Sequence, residues 1–150
     1  CTIYFRYYLN QALKVSGLGD QFLDNLQIWR DQMALGLTTW AEMPEPSRSD
    51  CHAWGASPNI EFYRILLGID SDATGFRKIR IAPSLGKLKE VSGTIPHPLG
   101  SVTAAYKLDE RGEGTARLVL PEGTTGIFIW DGKEIPLKPG EQVISLSSRH

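Results

Sequence analysis

Apolar positions along this chain change their period about halfway. Over residues 1–68 they recur at helical spacing; over 77–150 they alternate with polar ones, as in strands with one buried face. The opening run CTIYFRYYLNQALKVSGLG predicts a first helix ending near Gly17, a residue suited to a left-handed cap. Tyr4, Tyr8, Ala12 and Val15 share one of its faces, and Phe5, Leu9 and Leu13 the adjoining one. A second helix is expected from about Asp20, with Phe22, Leu26, Trp29 and Met33 in register and Gly36 closing it. Beyond a polar segment, Ser57 reads as an N-cap and Pro58 as the first residue of a short helix reaching Leu67 and stopped by Gly68.

Residues 68–77 read as a polar connector, and strands are expected over 78–82, 88–95, 101–108, 115–120, 127–130, 134–137 and 142–146. Val102, Ala104, Tyr106 and Leu108 alternate with Ser101, Thr103, Ala105 and Lys107, and Asp131-Gly132 is the strongest hairpin signal in the chain. The expected fold class is therefore α+β, with helices over 1–68 followed by an antiparallel β-sandwich domain over 69–150. A first helix apolar around most of its circumference belongs inside a larger body. The chain thus reads as the C-terminal piece of a longer protein, its helical faces exposed or covered by a second copy.

Composition narrows the function classes without choosing one. A chain of 150 residues with 41% hydrophobic and 22% charged residues is ordinary for a globular protein. A net charge of −1 offers no electrostatic footprint for nucleic acid or an anionic membrane, and no apolar run approaches the roughly 20 residues of a spanning helix. Cys1 and Cys51 form no disulfide or metal spacing and leave the redox compartment open.

The chemistry-bearing stretch is 38–58, TTWAEMPEPSRSDCHAWGASP, where aromatic rings, carboxylates and an imidazole crowd one polar loop. Such residues can grip a sugar and activate water. Glu42 and Glu45 lie too close in sequence to face each other across a sugar ring, but one of them can be half of an acid–base pair. Glu42, beside Trp40, is the functional candidate, while Glu45 reads as a solvated loop residue. His52 can orient a carboxylate or donate to a sugar hydroxyl. Trp40 and Trp54 can stack on sugar faces, although core packing is the default for tryptophan. Arg48 can clamp a carboxylate, with a structural salt bridge the commoner outcome. Cys51 next to His52 is poor geometry for a nucleophile and its base, so Cys51 reads as a small buried filler. The Glu42, Asp50, Cys51 and His52 spacing matches no common metal-ligand pattern.

The run TTWAEMPEPSRSDCHAWGASP, preceded by WRDQMALGL, resembles the end of the catalytic domain of family 78 glycoside hydrolases, the α-L-rhamnosidases. The region from FRKIRIAPSLGKLKEVSGTIPHPLGSV to EGTARLVLPEGTTGIFIWDGKEIPLKPG is similar to their closing sandwich. The resemblance implies that residues 1–68 are the last helices and active-site loop of an (α/α)6 barrel. It further implies an inverting hydrolase releasing terminal L-rhamnose from glycosides or polysaccharides, without a cofactor. In that family the general base is a Glu in a Thr-Thr-aromatic-Glu setting, the place Glu42 occupies after Thr38 and Thr39. Ala41 stands between Trp40 and Glu42, where many relatives have Trp directly before the Glu. His52 matches a sugar-contacting histidine, and Trp40 and Trp54 are the further candidate substrate contacts read from the loop itself.

The family's general acid lies upstream of the segment represented by this chain, so the chain is expected to be inactive alone. Its expected partners are the N-terminal part of the same enzyme, a rhamnose-containing substrate and, through the exposed helices, a second copy. A bacterial periplasmic or extracellular location is favoured over a cytoplasmic one. Two alternatives remain at this point. One is a non-catalytic sugar-binding or domain-docking sandwich using Trp130 or Tyr106; the other is an (α/α)6 glycosidase acting on a different sugar.

Overall fold

A computed structural model of the chain describes residues 1–147, so the last three positions of the expected second domain lie outside the described residues. The chain divides into two compact units, the first Cys1–Phe62 and the second beginning at Tyr63. Tyr63 and Leu67 belong to the second unit because their side chains pack on its apolar core.

The first unit is built on α1 (Ile3–Val15) and α2 (Gln27–Ala34). Thr2 caps α1, its Oγ1 accepting from the Phe5 amide at 3.2 Å. Both helices end as the sequence predicts. The amides of Leu18 and Gly17 reach back to the Leu13 and Lys14 carbonyls, and those of Leu37 and Gly36 to Gln32 and Met33, the paired bonds of a Schellman cap.

The second helix does not run from Asp20. Gly19–Gln21 and Leu23–Leu26 form two short 3-10 turns before α2 begins. Asn25 Nδ2 donates to the Gln21 carbonyl at 3.0 Å, a side-chain bond that competes with the helical ladder. Ser57 is likewise not an N-cap: it already has helical backbone angles at the end of the turn Ala53–Ala56, and its side chain makes no cap bond. A capping residue needs an extended backbone for its oxygen to reach the following amides. Pro58 does open α3 (Pro58–Glu61), which passes into a wider turn over Phe62–Leu66.

Ile3, Leu13, Phe22, Leu26, Trp29 and Ala41 form the buried interior of this unit, and Gln11 donates to the buried Glu61 carboxylate at 2.6 Å. Tyr4, Phe5, Tyr8, Val15 and Met33 are exposed, leaving the expected apolar helix faces open.

The second unit is a sandwich of two four-stranded sheets. Strands β1 (Ile69–Ser71), β2 (Lys78–Ile81), β6 (Thr125–Trp130) and β7 (Lys133–Leu137) form one, in the order β1-β2-β6-β7. Strands β3 (Glu90–His97), β4 (Gly100–Leu108), β5 (Gly114–Leu120) and β8 (Gly140–Leu146) form the other, in the order β3-β4-β5-β8. All seven expected strands are present. The eighth, β1, falls in the region read as connector, where three residues are too few for an alternation to register.

One pairing departs from the antiparallel expectation, since β2 and β6 run parallel. Parallel neighbours need a long crossover, and here residues 82–124 supply it by building most of the other sheet. Asp131 and Gly132, both at positive φ, turn β6 into β7 with Trp130 opposite Lys133, as a two-residue hairpin requires.

The inner faces meet in one apolar core. Ile79, Ile81, Phe128 and Trp130 from the first sheet pack with Val102, Ala104, Tyr106, Ala116 and Leu118 from the second. Phe128 is central, its ring stacked 6.4 Å from Tyr106 and 6.3 Å from Trp130. The Tyr106 hydroxyl donates to the Leu67 carbonyl at 2.8 Å, and Trp130 Nε1 to Ser147 at 2.9 Å, so neither buried ring leaves its polar atom unpaired. Both rings are therefore structural, which removes the two aromatics a sugar-binding sandwich would have used.

Gly68 cannot be replaced cheaply. It sits at φ +74°, and a Cβ there would lie 2.2 Å from the Ala82 carbonyl carbon and 2.3 Å from Pro83 N. Gly68→Ala is expected to destabilise the sandwich by about 1–3 kcal/mol, read as a lower midpoint in thermal unfolding. Gly132→Ala, at a similar φ but with nothing within 4 Å, should cost less; equal losses would contradict the close-approach argument.

Candidate functional site

Segment 38–58 folds back on itself as two hydrogen-bonded arms. The His52 amide donates to the Trp40 carbonyl at 2.8 Å, and the Glu42 amide to the Ser49 carbonyl at 2.9 Å. Thr39 Oγ1 adds a bond to the Asp50 carbonyl at 2.5 Å. Polar side chains close the tip: Ser47 Oγ donates to the Ser49 carbonyl at 2.9 Å, and the Ser47 amide donates to Glu45 Oε2 at 3.2 Å.

Helix α2 holds this loop at two points. Gln32 Oε1 accepts from the Ala41 amide at 3.0 Å, and Trp29 Nε1 donates to the Gly55 carbonyl at 2.6 Å. Three positions apart on α2, these side chains share a face. Gly55 is required because a Cβ would meet Trp40 Cβ at 2.6 Å, so the returning arm lies flat against the outgoing one. Ala41 is buried, whereas Trp40 and Glu42 on either side are partly exposed. In an extended arm, residues two apart share a face. Ala41 thus serves as the inward wedge of this arm, between the partly exposed Trp40 and Glu42.

Glu42 has a defined charge partner. Arg48 Nε donates to Glu42 Oε2 at 3.1 Å while Nη2 contacts Oε1, a bidentate pair. The Arg48 side chain is 75% exposed and that of Glu42 only 10%. The hydrogen bond from Arg48 holds the Glu42 carboxyl below its ordinary pKa. Partial desolvation opposes this, and the charges of Arg48 and then His52 add to the lowering. The folded state thus favours the ionised carboxylate. Any stability it contributes is present above the unfolded pKa and is lost as pH falls through the folded one.

His52 and Trp54 stand together, ring centroids 3.9 Å apart and planes tilted by 53°. Trp54, 40% exposed, meets the edge of Tyr4 at 5.4 Å and helps line a shallow depression of about 320 Å³ with Tyr7, Tyr8 and Ile60. The four nominated residues therefore all belong to the loop: Trp40 and Glu42 on the outgoing arm, His52 and Trp54 on the return. Glu45 is exposed, as expected of a solvated residue.

Cys51 is a correction. It is exposed and free rather than a buried filler, because the inward place in this loop is taken by Ala41. Among the described residues, no three His, Cys, Asp or Glu side chains gather as metal ligands, and no helix is long and apolar enough to cross a membrane. Sequence reasoning missed the anchors Trp29 and Gln32. Trp29 was legible only as an apolar-face residue, and Gln32 carried no signal beyond its helical offset from Trp29.

A helical unit presenting a polar–aromatic loop, followed by a two-sheet sandwich, defines an α+β protein. The family described as "Bacterial alpha-L-rhamnosidase C-terminal domain" matches residues 68–142, and the chain belongs to it. Among solved structures, the chain is similar to the native α-L-rhamnosidase of Aspergillus terreus (TM-score 0.84, 19% identity), covering 93% of this chain and 18% of that one. It is also similar to the family 78 rhamnosidase of Bacillus sp. GL1 (TM-score 0.73, 25% identity; 85% and 16%). A third similar structure is a Streptomyces avermitilis α-L-rhamnosidase complexed with L-rhamnose (TM-score 0.58, 17% identity; 81% and 14%). The chain thus spans less than a fifth of the length of these enzymes. No curated protein matches it at a significant level.

Proposed function

We propose that this chain is the base-carrying part of an inverting α-L-rhamnosidase, with Glu42 as general base. The observation that carries the reading is the setting of Glu42: a carboxylate whose ionised form a bidentate Arg48 favours, on a loop pinned to α2. Membership of a rhamnosidase domain family supplies the sugar. In inversion, one carboxylic acid protonates the leaving oxygen while a carboxylate on the opposite face activates water. The two groups stand roughly 6.5–9.5 Å apart, which leaves room for that water. Glu42 takes the water's proton as it attacks the anomeric carbon and the glycosidic bond breaks. His52 holds a rhamnose hydroxyl, and Trp40 and Trp54 offer ring faces to the apolar side of the sugar.

The general acid belongs to barrel segments upstream of this chain, whose residues 1–68 are the last helices of an (α/α)6 barrel. General acid catalysis contributes typically about 10²–10⁴-fold, and most of the sugar pocket lies outside this chain as well. The isolated 150-residue chain is accordingly expected to release no rhamnose from a chromogenic rhamnoside above the buffer rate. Measurable turnover by the purified chain would refute the division of acid and base.

A further inference from the structure

Arg48 is mostly solvent-exposed, and exposed ion pairs contribute little to folding. Arg48 is nevertheless flanked by residues that are hydrogen-bonded to each other. It sits at the centre of the Ser47–Ser49 tip, where Ser47 Oγ donates to the Ser49 carbonyl at 2.9 Å and accepts from the Ser49 amide at 3.3 Å. From there the guanidinium spans both oxygens of Glu42. A carboxylate has about four lone-pair sites. A bidentate guanidinium occupies one on each oxygen and leaves the other free for water. The planar fork also fixes rotation of the carboxylate, which a point-charge ammonium does not.

We propose that Arg48 is a positioning residue for Glu42, setting the orientation of the carboxylate that receives the water's proton. This rests on the reading of Glu42 as the base. The charged groups that bear on Glu42 are Arg48 and His52, both on the loop itself; Arg48 acts most strongly and favours the ionised form. Because the Arg48 side of the pair faces solvent, salt weakens its grip.

The test is the pH profile of kcat/KM for a chromogenic rhamnoside, using the full-length enzyme as wild type, R48Q, R48K and E42Q. In R48Q the acid limb should move to higher pH, with about a tenfold loss at acid pH for each unit of movement. R48K should recover part of that movement, and all variants should keep the wild-type melting temperature. Raising salt should shift the wild-type limb upward and shift that of R48Q less.

Carboxyl NMR of the 150-residue chain gives a second readout, with the Glu42 titration midpoint rising in R48Q. An acid limb and a Glu42 midpoint both unmoved in R48Q overturn the proposal. If E42Q is inactive in that case, the base assignment survives and only the role of Arg48 falls. If E42Q retains wild-type turnover, the base assignment itself fails and takes the positioning role with it.

Discussion

Glu42→Gln in the full-length enzyme should lower kcat by at least about 10²–10⁴-fold, the typical contribution of a positioned general base. Glutamine keeps the size of the side chain and can still accept a bond from Arg48 through its amide oxygen, but it cannot take a proton from water. The loop should survive the change, since its arms are closed by backbone bonds between Trp40 and His52 and between Glu42 and Ser49. The anchors Gln32–Ala41 and Trp29–Gly55 do not involve the Glu42 side chain either. Losing one charge partner leaves Arg48 in water rather than buried, so no orphaned charge destabilises the fold. The diagnostic combination is lost turnover with unchanged melting and a KM close to wild type. Wild-type kcat in E42Q would end the assignment, whatever the loop looks like.

Phe128→Ala should be the most damaging single change in the sandwich, at about 3–5 kcal/mol. The ring is fully buried between Tyr106 and Trp130, so truncation removes both stacking partners' contacts and leaves a cavity. Relief by collapse is limited because the Tyr106 hydroxyl is tied to Leu67 and Trp130 Nε1 to Ser147, which hold the flanking rings in place. Typical domains are stable by only about 5–15 kcal/mol. With a urea slope of about 1–3 kcal/mol/M, the midpoint should fall by more than about 1 M. Val143→Ala, exposed on β8, should stay within about 0.5 kcal/mol of wild type. Indistinguishable midpoints for the two variants would show that Phe128 is not the centre of the core.

Much of this molecule was legible in order along the chain. The strand alternation at Val102, Ala104 and Tyr106 emerged as a buried face, and Asp131-Gly132 as the β6–β7 hairpin. Both are local signals, a period of two and a pair of positive-φ residues. The start of the second helix was misplaced because Asn25 prefers a side-chain bond to the Gln21 carbonyl over the helical ladder. Ser57 was misread as a cap because residues 53–56 already turn helically before it.

For the site, the sequence by itself determined the inventory: Trp40, Glu42, Arg48, His52 and Trp54 in one polar loop between helices. Only the tertiary structure decided which of them act together. The pairing of Glu42 with Arg48 depends on the loop doubling back at Ser47–Ser49, and the hold of α2 on the outgoing arm depends on the Gln32 bond to the Ala41 amide. Likewise, β2 and β6 are parallel neighbours although three strands of the other sheet lie between them in sequence. Residue types and periods are local properties of a chain. Orientation, charge pairing and strand partnership are set by contacts between distant positions, which a single sequence does not display.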